Sequence, residues 1–114
     1  RRGGGVQQFE RRWEEPCDIQ VVAMLLSKNR LYVLGARDVL DELDRSNLAK
    51  DNTEQDEHMM GKHGSVLAVI DPASGQVVNR QEFDFFPVFD GMSAADGKIF
   101  IACQDGTTVC LEGN

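Results

Sequence analysis

Residues 87–114 read PVFDGMSAADGKIFIACQDGTTVCLEGN, two strands around a tight turn, and the sheet they begin is unfinished where they end. An open sheet carries unpaired N–H and C=O groups along its edge and an apolar face that needs a cover. The reading therefore predicts that most of the fold lies upstream of Arg1, or that copies of the chain assemble to complete it.

The same pattern occurs once more in the chain. Residues 21–38, VVAMLLSKNRLYVLGARD, align with residues 89–106, FDGMSAADGKIFIACQDG, at a constant offset of 68 residues. Met24 falls on Met92, Leu31 on Ile99, Tyr32 on Phe100 and Val33 on Ile101, and the polar turn SKNR falls on ADGK. Each copy reads as a strand, a tight turn and a near-continuous apolar strand. The next piece, GSVLAVID from Gly64, matches GTTVCLEG from Gly106 at an offset of 42 residues. The first copy thus carries an insertion before Gly64, and the intrinsic period is near 42 residues. Four short strands per repeat at that spacing is the pattern of a β-propeller blade.

The connections agree. DPASGQ, residues 71–76, places Pro72 where φ is preset and Gly75 where positive φ is accepted, which predicts a hairpin turn. VVNRQEF then reads as a fourth, outer strand. The runs LYVL and IFIA are apolar at every position, which predicts strands buried on both faces between stacked sheets.

The insertion, about residues 38–63, differs in composition. It holds eight acids (Asp38, Asp41, Glu42, Asp44, Asp51, Glu54, Asp56, Glu57) against Arg45, Lys50 and Lys62, and so contributes −5 of the chain's net −7. Asp38 suits an N-cap, and Val39, Leu40 and Leu43 have helical spacing, so a short helix followed by a disordered acidic loop is expected. Asp51, Glu54, Asp56, Glu57 and His58 are the candidate interaction surface on this loop. Apart from them, the insertion reads as solvated decoration.

Composition excludes some classes. A chain of 114 residues with 41% apolar and 27% charged residues is one ordinary globular domain's worth of protein. Its net charge of −7 disfavours nucleic acid and anionic membranes, which need clustered Lys and Arg. The longest apolar run, IQVVAMLL, is broken by Gln20 and reads as a strand, not a membrane span. Cys17, Cys103 and Cys110 have no CxxC spacing, so neither a zinc site nor a disulfide framework is indicated. With a two-residue turn at Asp105 and Gly106, Cys103 and Cys110 would share one face, diagonal to each other, as small buried thiols.

Taken together, KIFIACQDGTTVCL and the preceding VLAVIDPASGQVV resemble the pyrroloquinoline-quinone-like β-propeller repeat. The resemblance covers residues 18–111 apart from the insertion. In that family a Trp follows the Ser/Thr-Gly turn and docks one blade on the next. Here the matching place is near Asn79, and Trp13 in FERRWEE is the residue available for that role. The resemblance implies a periplasmic or extracellular protein whose signal peptide lies outside this stretch. It also implies, in one alternative, part of a quinone-dependent oxidoreductase using pyrroloquinoline quinone and calcium, with its cofactor site mainly in other blades.

No catalytic constellation accompanies the repeat. Asp71, Asp84, Asp90, Asp96 and Asp105 could supply the oxygen ligands calcium prefers, but each sits at a turn or strand end where Asp is favoured for backbone reasons. His58 and His63 are five apart, off a common helix face, with no third ligand fixed. Ser65, Ser74 and Ser93 lack a GxSxG context, and RRGGGV lacks a phosphate-loop pattern. Phe83, Phe85, Phe86 and Phe89 are read as inter-blade core, with a ligand pocket as the rival.

The expected architecture is all-β, about two four-stranded antiparallel blades of a β-propeller with one acidic, partly helical or disordered insertion. Residues 1–16 end a preceding blade or form a linker, 17–84 form a blade with its insertion, and 85–114 form a partial blade. The expected function is a non-catalytic scaffold that binds protein partners or further blades, with no cofactor of its own.

Overall fold

The computed structural model of the chain describes residues 8–37 and 63–113. It is all-β, with strands β1 (Ile19–Ser27), β2 (Arg30–Arg37), β3 (Ser65–Ile70), β4 (Val77–Phe83), β5 (Pro87–Ala95), β6 (Lys98–Cys103) and β7 (Thr108–Glu112). They form two antiparallel meanders, β1-β2-β3-β4 and β5-β6-β7. Among the described residues no helix is long and apolar enough to cross a membrane. The predicted helix and acidic loop, with Asp51, Glu54, Asp56, Glu57 and His58, lie outside the described residues.

The repeat is visible in the backbone. The strands β1 and β5 begin and end 68 residues apart, and so do the starts of β2 and β6. Lys28 and Asn29 have φ of 51° and 61°, and their counterparts Asp96 and Gly97 have 55° and 75°. Two consecutive positive φ values between paired strands make the tight turn whose twist matches that of the flanking strands. Ser27 pairs with Arg30 and Ala95 with Lys98, closing both hairpins alike. Even the irregularities correspond: β1 slips register between Val21 and Ala23, and β5 between Pro87 and Met92, where Asp90 has φ of 56°.

The β3–β4 turn is held by Asp71. Its carboxylate accepts the Ala73 N–H at 3.1 Å and the Ser74 hydroxyl at 3.2 Å, and its carbonyl accepts the Gly75 N–H at 2.8 Å. Gly75 adopts φ of 79°, the conformation its place in DPASGQ predicts.

Stacking of the two sheets makes the main core. Ala23, Leu34 and Leu67 of the first sheet meet Met92, Ile101 and Cys103 of the second. The ladder pairings put Leu34 and Leu67 on one face of the first sheet and Val33, Val66 and Ala68 on the other. Ile101 is the repeat counterpart of Val33 yet packs against Leu34's face. The front of the second sheet therefore lies on the back of the first, a head-to-tail arrangement. The connection between the sheets is pinned from both sides. The Ser65 hydroxyl donates to the Phe85 carbonyl at 2.7 Å, and the Gln104 N–H donates to the Phe86 carbonyl at 2.9 Å.

Four sequence expectations are corrected. First, β2 is covered on both faces, but in β6 only the Ile99, Ile101 and Cys103 face is covered, and Ala102 opposite is exposed. Nothing in the described residues stacks on that outer face. Second, the β6–β7 loop has three residues, Gln104 to Gly106. Gly106 N–H bonds the Cys103 carbonyl at 3.1 Å, and Cys103 N–H bonds the Thr107 carbonyl at 2.9 Å. Gly106, at φ of 89°, is the added left-handed residue of this loop type.

That one-residue change flips the side chains of β7 relative to the expected pairing. Cys110 pairs with Phe100 and is exposed, whereas Cys103 is buried on the opposite face. No disulfide joins them. Third, and for the same reason, the offset of 42 places Val69 on Leu111, but Val69 pairs with Tyr32 while Cys110 pairs with Tyr32's counterpart Phe100. Fourth, Phe86 is buried and Phe83 and Phe85 stack at 4.7 Å beside the core, but Phe89 is 87% exposed. It sits in the irregular part of β5, where the strand leaves its ladder.

Native thiol titration should find Cys17 and Cys110 reacting at once and Cys103 only after unfolding. Burial of Cys103 in the inter-sheet core predicts the difference.

Candidate functional site

The front face of the first sheet is the surface that the head-to-tail stacking leaves without a second sheet. Its centre is the cluster Ile19, Val33, Val66, Ala68 and Ile70. Residues 8–18 carry no regular structure, and from them Trp13 reaches over the face and packs on this cluster with Leu31. The indole N–H donates to the Pro72 carbonyl at 2.7 Å, satisfying the ring's one polar group. The ring also lies against Gly75. A Cβ there would sit 2.5 Å from Trp13 Cε3, so this glycine is required by the contact as well as by its φ. Trp13 is thus a clasp between the N-terminal segment and the β3–β4 turn.

A second tie holds the same segment. Asp18 accepts from Arg80 Nη1 at 2.5 Å, joining the segment before β1 to the outer strand β4. The hydrogen bond from Arg80 holds the Asp18 carboxyl below the usual carboxylate range, against a smaller opposing effect of burial. No spacing in the sequence signals this pair, because its partners are 62 residues apart.

A depressed folded pKa stabilises above the unfolded value, near 3.8, and that contribution is lost as pH falls through the folded value. Both side chains are more than a third exposed, so the pair contributes under about 1 kcal/mol. Arg80→Gln should therefore leave thermal stability nearly unchanged at pH 7 and flatten part of its decline below about pH 4. Asp105 would retain its own share of that decline, since the Thr107 hydroxyl and N–H hold its carboxyl low as well.

The clasp covers only part of the face. Met24 pairs with Val33 and Leu26 with Leu31, so both belong to the front, and they are 54% and 65% exposed. Met92, the counterpart of Met24, is 7% exposed because the first sheet covers it. Trp13→Phe, which keeps an aromatic ring but loses the donor, should cost about 1 kcal/mol. Trp13→Ala should cost about 2–3 kcal/mol, below the range for fully buried Trp because this one is partly exposed. Chemical denaturation followed by circular dichroism checks both.

The candidate metal and catalytic residues do not converge. The Asp71 and Asp105 carboxylates are taken up by their own turns. Asp90 and Asp96 lie at the positive-φ irregularity and turn of the second sheet, and Asp84 is in the linker. Among the described residues no three His, Cys, Asp or Glu side chains are grouped to hold a metal ion. Ser65 is buried and donates to the Phe85 carbonyl, Ser74 bonds Asp71, Ser93 is exposed, and His63 is exposed at the entry to β3.

A cleft between the two sheets, lined by residues from both, is the other concave feature. Sequence reasoning missed it, since it exists only once the repeats are stacked. No family model, curated protein or solved structure matches the chain.

Proposed function

We propose that the chain is a run of two sheet modules from a β-propeller of the pyrroloquinoline-quinone-like kind, acting as a non-catalytic scaffold that binds protein partners or neighbouring modules. One observation carries this reading: the second sheet packs its front on the back of the first, with turns and bulges repeating at corresponding positions. Head-to-tail contacts between like units propagate, into a ring where the rotation closes. The uncovered apolar strip at Met24 and Leu26 is where the next module or a partner would sit. A closed propeller uses at least about four blades, so more modules than two take part.

Sedimentation of the chain tests the reading. Association at tens of micromolar (order of magnitude), abolished by Met24→Asp with Leu26→Asp and not by Phe9→Asp, is the expected result. A monomer up to about 1 mM overturns it. Titration with pyrroloquinoline quinone and Ca2+, followed by the fluorescence of the single Trp, separates scaffold from oxidoreductase. Calcium-dependent binding tighter than about 10 μM would replace the scaffold by the enzyme reading.

A further inference from the structure

The two sheets splay apart beside β4 and β7 and leave a cleft of about 730 Å3 between them. This lies within the range of about 300–1,000 Å3 that ligand pockets occupy. Its walls mix polar groups with apolar side chains, the latter Leu67 and Val69 on the first sheet and Ile99 and Leu111 on the second. Asn79 and Gln81 of β4 pair with Val69 and Leu67, so their amides lie on the same face and line the cleft beside them.

The mouth is cationic. Arg30 and Lys98 occupy corresponding places in the repeat, each opening its strand after a tight turn, and both are on the lining of the cleft. Lys28 adds a third cation. Its Nζ lies 3.3 Å from where a Cβ on Gly97 would be, so the side chain leans from the first sheet's turn to the second's. Among the described residues Lys28 and Lys98 make no ion pair, and Arg30 donates only to the Asn29 carbonyl at 3.1 Å. The acids at this end are Glu112 on the lining and Asp96 in the β5–β6 turn.

Three cations against two carboxylates, in a chain of net charge −7, form a local positive field beside the apolar side chains of the cleft. We infer that the inter-sheet cleft binds a small organic anion, with its apolar body between Leu67, Val69, Ile99 and Leu111. Its carboxylate, sulfonate or phosphate head is held by Lys28, Arg30 and Lys98. Contact with these apolar side chains adds affinity for such a ligand, and the amides and charges orient it. The inference needs only the stacking of these two sheets and stands whether or not they belong to a larger ring.

The probe is 8-anilinonaphthalene-1-sulfonate, an aromatic sulfonate whose emission rises in apolar sites. Saturable binding at one site is expected, weakened about tenfold or more by Lys28→Gln, Arg30→Gln and Lys98→Gln together. The control Arg11→Gln with Arg12→Gln, which removes two cations from an exposed part of the N-terminal segment, should change it less than about twofold. All variants alter exposed or half-buried charges, and unchanged thermal midpoints will show that they fold. Octanoate should displace the probe where equal inorganic phosphate does not. Binding that is unsaturable, equal in the mouth variant and wild type, or lost equally in the control overturns the inference. Displacement by inorganic phosphate as effective as by octanoate overturns the apolar part of it.

Discussion

Ile101→Ala is expected to lower stability by about 3 kcal/mol and to loosen both sheets together. The side chain is fully buried in the cluster that Leu34, Leu67 and Ala23 of the first sheet share with Met92 and Cys103 of the second. Removing it leaves a cavity bounded by two sheets, and buried aliphatic truncations of this kind cost about 2–5 kcal/mol. For a domain of this size that is a fall in midpoint of roughly 10–20 °C. Hydrogen exchange should quicken in β1–β3 as well as in β5–β7, because the lost contacts belong to both. If only β5–β7 respond, the sheets are not coupled and the stacked-array reading loses its energetic basis. Val33→Ala, at the corresponding place in the repeat, should cost less, about 1–2 kcal/mol. Val33 faces the cluster that Trp13 covers rather than a second sheet.

Gly35→Ala is expected to unfold the first sheet or cost at least about 3 kcal/mol. Its φ is not the reason. A Cβ at Gly35 would sit 2.0 Å from the Gln20 carbonyl oxygen and 3.0 Å from Val21 Cα, both backbone atoms of the neighbouring strand. Moving β1 aside would break its pairing with β2, which continues on both sides of this point from Ile19 to Ser27. The close approach belongs to the bulge between Val21 and Ala23, where β1 folds in toward its partner. Gly106→Ala is the contrasting variant. No atom lies within 4 Å of a Cβ there, so only the positive φ of 89° resists it. That should cost about 1 kcal/mol. Equal costs for the two would mean that the strand approach at Gly35 is looser than described.

Much of the fold is local, and that part was legible from residue types. Lys28-Asn29 and Asp96-Gly97 turn because Asn, Asp and Gly tolerate positive φ between strands whose twist requires it. Asp71 and Gly75 close the β3–β4 loop through hydrogen bonds within six residues. The repeat at an offset of 68 residues placed β5 and β6 from β1 and β2. The β6–β7 loop escaped this reasoning because Asp105-Gly106 suits a two-residue turn as well as a three-residue loop. The side-chain period of two then turned one residue of error into opposite faces for Cys103 and Cys110.

The candidate sites divide the same way. Trp13 was singled out only through the resemblance, as a residue for blade docking, and its contacts with Pro72 and Gly75 join distant segments and leave no trace in spacing. The cleft and its three cations were invisible, since Lys28, Arg30 and Lys98 come together only by stacking.

By itself, the sequence determined the strands, their turns and their repetition, because φ preferences and apolar alternation act between residues a few positions apart. Burial was decided by the tertiary structure. Met24 and Met92 occupy one place in one repeat, yet the first is half exposed and the second buried, since a sheet has two faces and only its neighbours determine which of them meets water.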